Sequence, residues 1–133
     1  MQDRVTRKQE PPFSVQVELV EGCNLYCKFC GLRGIRAQDN KNLKFADPAT
    51  IVSLAAQIRD LGWTSRIEIA MHGEPTLHPE YATAVRVLRS SLPKNQIMMT
   101  SNGGGLLASP GPADRIRQLF DCGLNILALD DYQ

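Results

Sequence analysis

Arg66-Ile67-Glu68-Ile69-Ala70-Met71-His72-Gly73-Glu74-Pro75 is the stretch on which the fold turns. Its first half is a short strand with β-branched residues, and its second half breaks abruptly at a glycine and a proline. Tyr81, Val85, Leu88 and Leu92 then recur at helical spacing until Pro93 stops them. A strand, a polar strand end and a helix make one β/α unit, and that unit repeats on both sides.

Downstream, residues 96–100 (QIMMT) predict a strand that runs into Ser101-Asn102-Gly103-Gly104-Gly105. Residues 112–122 predict a helix with Ile116, Leu119 and Phe120 turned inward and Gly123 as its stop. Residues 125–130 (NILALD) predict the last strand. Upstream, Val15, Val17 and Leu19 alternate with Gln16 and Glu18, a strand signal that ends at Gly22. Residues 32–45 are polar and basic and read as a long connection. Asp47-Pro48 then opens a helix as N-cap and first helical residue. Ile51, Leu54, Ala55, Ile58 and Leu61 form its apolar stripe, and Gly62 ends it.

Strands alternating with helices of this length imply β-α-β crossovers and an α/β fold built on a parallel sheet. Ligands of such sheets sit beyond the carboxyl ends of the strands. Every unusual segment of this chain falls at that edge: a cysteine-rich loop, Gly73-Glu74-Pro75, Ser101-Asn102-Gly103, and Asp130. The triple glycine at 103–105 lacks the Lys-Ser/Thr of a phosphate-binding loop and reads as tight-turn chemistry.

The loop after the first strand reads Cys23-Asn24-Leu25-Tyr26-Cys27-Lys28-Phe29-Cys30. Three thiolates can hold three corners of a cubane iron–sulfur cluster and leave one iron open to an outside ligand. Zinc is the alternative, since thiolates also select it. A structural zinc site needs a fourth protein ligand, and only Cys122 or His72 offers one, each far away in sequence. Cys122 closes a helix and reads as a buried free thiol. His72 reads either as a pocket residue or as a loop histidine with its hydrogen bond satisfied.

Cys23, Cys27 and Cys30 in C-x3-C-x2-C spacing, the aromatic Phe29 before the last cysteine, and Gly73-Glu74-Pro75 after the second strand resemble the radical S-adenosylmethionine (SAM) superfamily. The resemblance spans residues 14–133. It implies the first four β/α units of a partial TIM barrel, with Cys23, Cys27 and Cys30 on a [4Fe-4S] cluster. It further implies an enzyme that cleaves SAM reductively to a 5'-deoxyadenosyl radical, which removes hydrogen from a substrate. Gly73, Glu74 and Pro75 match the family's G-G-E-P strand end, which bonds the SAM amino group, with His72 replacing the first glycine. Phe29 is expected near the adenine, and Ser101, Asn102 and Asp130 against SAM or substrate. The cysteine-loop style resembles members that act on peptides, so a small molecule or a peptide is the expected substrate. The other class that fits is a non-catalytic iron–sulfur or zinc-binding or assembly module derived from such a core.

The 133 residues suit one domain, expected as a flexible segment over 1–12 and a core over 13–133. A net charge of +1 with mixed signs argues against a nucleic-acid footprint. No apolar run approaches the length that spans a bilayer, and residues 1–12 lack the apolar core of a signal peptide. Metal-bound thiolates in a reducing cytoplasm are therefore expected. The basic residues of 32–45 read as a solvated face, or as a dock for an acidic electron donor such as flavodoxin or ferredoxin. The family's later strands are not found after Asp130. A truncated form or fragment is expected, with more chain or a partner covering the edge of the apolar fourth strand.

Overall fold

The computed structural model describes residues 10–31, 43–70 and 72–131. Strand β1 (Ser14–Val17) leads to β2 (Val20–Glu21), β3 (Lys44–Phe45), helix α1 (Pro48–Asp60) and β4 (Arg66–Ile69). A 3-10 turn (Pro75–Leu77), α2 (Tyr81–Ser91), β5 (Ile97–Ser101), a second 3-10 turn (Gly104–Leu107), α3 (Pro112–Asp121) and β6 (Ile126–Leu129) complete the order. Four strands form one sheet in the order β1-β4-β5-β6. Every pairing in it is parallel, with Val15 opposite Ile67, Ile67 opposite Ile97 and Met99 opposite Leu127. This is the expected α/β architecture.

Helix boundaries follow the expected chemistry. The Asp47 carboxylate accepts from the Ala49 N–H at 2.8 Å, and Pro48 occupies the first turn, where a missing N–H costs nothing. Gly62 and Gly123 adopt positive φ, +68° and +102°, and stop α1 and α3. At the start of α2 the Glu80 N–H donates to His78 Nδ1, while His78 Nε2 lies 3.2 Å from the Ala46 carbonyl. His78 thus ties the lead-in of α1 to the start of α2.

Alternation along the strands divides the sheet into two faces. Ile67, Ile69, Ile97 and Met99 are buried together with Ile51, Ala55 and Ile58 of α1, Val85 and Leu88 of α2 and Leu119 of α3. Full burial of each such aliphatic side chain contributes about 1.5–3 kcal/mol. On the other face, Gln16 is exposed, and Arg66, Glu68, Met98 and Thr100 are half-buried. Among the described residues β1 and β6 are the sheet edges, and on β6 Leu129 keeps 54% of its surface open.

Three expectations change. The first strand is not continuous: Val20–Glu21 leaves the parallel sheet and pairs antiparallel with Lys44–Phe45. Leu61 is exposed because it caps α1 beyond the last turn that the stripe can direct inward. Phe120 is also exposed. The inward row of α3 is Ile116, Leu119 and Cys122, and Phe120 falls on its flank. The basic connection lies mostly outside the described residues, as do residues 1–9 and Met71. Among the described residues no helix is long and apolar enough to cross a membrane.

Candidate functional site

A cavity of about 390 Å³ opens at the carboxyl edge of the sheet. It is lined by Cys23, Cys27 and Cys30 of the loop after β2 and by Gly73 and Glu74 beyond β4. Ser101 and Asn102 at the end of β5 and Asp130 just past β6 complete its rim. Phe29 stands at the mouth, 69% exposed. Residues as far apart in sequence as Cys23 and Asp130 meet here because parallel strands bring all their carboxyl ends to one edge.

Glu74 is the brace of the rim. Its side chain is buried, yet Oε1 accepts from the Thr76 N–H at 3.0 Å, from the Thr76 hydroxyl and from the Ser101 hydroxyl at 2.6 Å. Oε2 accepts from the Asn102 N–H at 2.7 Å. Four donors and no acceptor face this group, so a carboxylate fits and an amide would not. The backbone joins in, since the Glu74 N–H donates to the Gly22 carbonyl at 2.9 Å.

Gly73 owes its identity to that approach. A Cβ on it would lie 1.8 Å from the Val20 carbonyl oxygen and 2.5 Å from that of Gly22. Any side chain would push the Gly-Glu-Pro turn off the cysteine loop. Pro75 is buried at the first position of the 3-10 turn. It shapes the rim from behind and is not among the residues that line the cavity. In the triple glycine, Gly104 donates to Asn102 Oδ1 at 2.8 Å and Gly105 to the Thr76 hydroxyl at 3.1 Å, as expected of a tight turn.

The cysteine loop is anchored through Asn102, whose amide donates to Asn24 Oδ1 at 2.9 Å and reaches Cys23 Sγ at 3.5 Å. The Leu25 N–H also points at Cys23 Sγ, at 3.4 Å. Two donors aimed at one sulfur suit a thiolate and are the usual means by which a protein tunes a cluster ligand. Cys23 is buried, while Cys27 and Cys30 are half-buried and free of disulfides. Among the described residues no three His, Cys, Asp or Glu side chains converge as a single ion would require. A cubane takes one thiolate per iron, so its ligands are spread around the cluster. The donor set of three thiols in one cavity fits that group.

Cys122 is buried on the helix layer, where the Arg86 guanidinium donates to its sulfur at 3.3 Å. It is absent from the cavity lining. His72 is likewise absent from that lining and pairs with Glu18, Nδ1 to Oε2 at 2.9 Å. Sequence reasoning missed Gln16, Glu68, Ala70 and Thr100, all of which line the cavity. It also missed Asn24 and Thr76, which hold the rim. A polar residue on a strand of a parallel sheet was the available signal, because such strands are normally apolar on both faces.

Residues 17–130 match the family model of the radical SAM superfamily. Among solved structures, BtrN in complex with AdoMet and 2-DOIA superposes with a TM-score of 0.76 at 21% identity, over 90% of this chain and 46% of that one. Selenomethionine BtrN in an open conformation gives a TM-score of 0.71 at 21% identity, over 90% and 56%. At this identity the likeness is one of fold. The chain spans about half the length of the solved chains it matches. No curated protein matches it.

Proposed function

The chain belongs to the radical SAM superfamily, and we propose that it holds a [4Fe-4S] cluster and uses it to start radical chemistry on a small-molecule or peptide substrate. The observation that carries this reading is that Cys23, Cys27 and Cys30 share one cavity with Gly73, Glu74, Ser101, Asn102 and Asp130. When bound, the cluster would supply the electron for reductive cleavage of SAM to methionine and a 5'-deoxyadenosyl radical.

The chain's own residues do the holding. Cys23, Cys27 and Cys30 would hold the cluster through their thiolates, and among the described residues no fourth cysteine lines the cavity to compete with SAM. Leu25 and Asn102 stabilise the Cys23 thiolate with their N–H donors. Glu74, with its carboxylate engaged by Thr76, Ser101 and Asn102, keeps the rim rigid. Backbone carbonyls of the Gly73–Glu74 strand end would take the SAM ammonium. Phe29 offers an apolar face at the mouth for the adenine, and Asp130 closes the β6 side. The electron comes from a reductant such as flavodoxin or ferredoxin in a reducing cytoplasm, and more chain or a partner covers the β6 edge.

Anaerobic reconstitution with iron and sulfide tests this. The expected product is a brown protein with about four irons and four sulfides per chain. With SAM and dithionite it is expected to release 5'-deoxyadenosine. A colourless protein with one tightly held zinc would overturn the cluster assignment. A cluster that leaves SAM intact would favour a binding or assembly module.

A further inference from the structure

We propose that Gln16 and Glu68 form the substrate-recognition wall of this cavity and that the group they take is a protonated amine; the proposal rests on the rim above them being the cofactor site. The two residues are direct neighbours across β1 and β4, Gln16 opposite Glu68, on the face that the helices leave open. Both line the cavity, and neither belongs to the rim. Cys23, Gly73, Asn102 and Asp130 lie beyond the strand ends, whereas Glu68 lies two residues before Ala70 inside β4. At about 3.3 Å per residue it sits roughly 7 Å deeper. A radical made at the rim acts on whatever is seated in that deeper layer.

Glu68 is held ready by neighbours that leave part of it unused. Arg66 Nε lies 2.8 Å from Oε1, and Gln16 Nε2 is 3.5 Å from Oε2. Arg66 is in turn stacked on Phe13, 4.9 Å from the ring centre, and does not line the cavity. Each carboxylate oxygen accepts from two directions, so one contact apiece leaves an acceptor position on each. An ammonium group carries three donors and fits that vacancy. Charge points the same way. The lining includes the carboxylates of Glu68, Glu74 and Asp130 and, among the described residues, no Lys, Arg or His; Arg66 behind the wall offsets the charge of Glu68 alone. Glu74 is engaged by neutral donors only. Such a cavity raises the local concentration of cations and repels carboxylates and phosphates.

The test needs neither cluster nor turnover. Cyclohexylammonium, cyclohexanol and cyclohexanecarboxylate are titrated into the full chain up to about 50 mM, the weak range of so small a ligand. Binding is followed by NMR at the backbone amides of residues 16, 68 and 70, which wild type and both variants share. The amine is expected to bind, the alcohol more weakly, and the carboxylate not at all. In Glu68→Gln the amine is expected to bind on the order of ten- to a hundred-fold more weakly, as loss of a charge-assisted contact implies. Gln16→Ala, at an exposed position that does not threaten folding, is expected to weaken it about threefold. No amine binding in wild type, equal binding by the carboxylate, or unchanged affinity in both variants would overturn the proposal. Iron content and 5'-deoxyadenosine formation, measured on the same preparations, report on the cofactor reading separately. Failure there with the amine preference intact would sink the rim and not the wall.

Discussion

The two ends of the sheet carry polar networks of opposite sign, part-buried at one end and buried at the other. At the amino end the hub is a cation. Arg89 donates to the carbonyls of Leu92, Pro93, Asn95 and Gly123 at 2.9–3.1 Å, and to the Asn125 side chain. Asn95 extends the network to the Trp63 and Ser65 carbonyls, and Ser65 reaches the Pro12 carbonyl. The loops entering β1, β4, β5 and β6 are thus stitched together. At the carboxyl end the hub is an anion, Glu74, and the donors gathered on it hold open a cavity that contains three thiols. One network ties its end together through backbone carbonyls. The other braces a rim and leaves sulfur and acceptor capacity unspent. The first is built for stability and the second for ligands, a division common to barrels of this kind.

Substitutions at each end are expected to separate the two roles. The largest effect belongs to Cys23→Ser, which is expected to abolish cluster assembly, with iron per reconstituted chain falling from about four to below one. Retention of full iron would break the comparison outright. Gly73→Ala is expected to cost about 3 kcal/mol in urea unfolding, because its Cβ meets a backbone carbonyl that cannot swing away. It is also expected to lower iron uptake. Arg89→Met is expected to cost about 1–2 kcal/mol, since several part-buried carbonyls lose their donor at once, while iron uptake stays unchanged. Glu74→Gln is expected to cost about 1–2 kcal/mol, because its amide nitrogen must face the Asn102 N–H or the Thr76 and Ser101 donors. Unlike Arg89→Met, it is expected to disturb 5'-deoxyadenosine formation. The smallest effect is expected of Cys122→Ala, about 1 kcal/mol with full iron content. Iron loss there would make Cys122 a ligand.

Legibility in the sequence differed between these ends. The rim was readable because its residues are chemically unusual where they occur: cysteines three and four positions apart, and glycine next to glutamate and proline. The Arg89 hub was not readable. An arginine on the exposed-looking side of an amphipathic helix carries no mark of the four carbonyls it will meet. The break between β1 and β2 was hidden for a similar reason. Val15, Val17 and Leu19 keep their alternation through it, and periodicity says which face a residue takes without naming its partner strand. Gln16 fell in the polar half of that alternation, and Glu68 carried no mark within its short strand.

Local physics in the chain was enough to order the elements, end the helices at Gly62 and Gly123, and single out Cys23, Cys27, Cys30 and Gly73, because caps, periods and ligand chemistry act over a few residues. Which strand pairs with Val20, why Gly73 tolerates no side chain, and which polar side chains become cavity walls were decided only in three dimensions. Those properties depend on distances between segments that lie tens of residues apart, and such distances exist only once the sheet has formed.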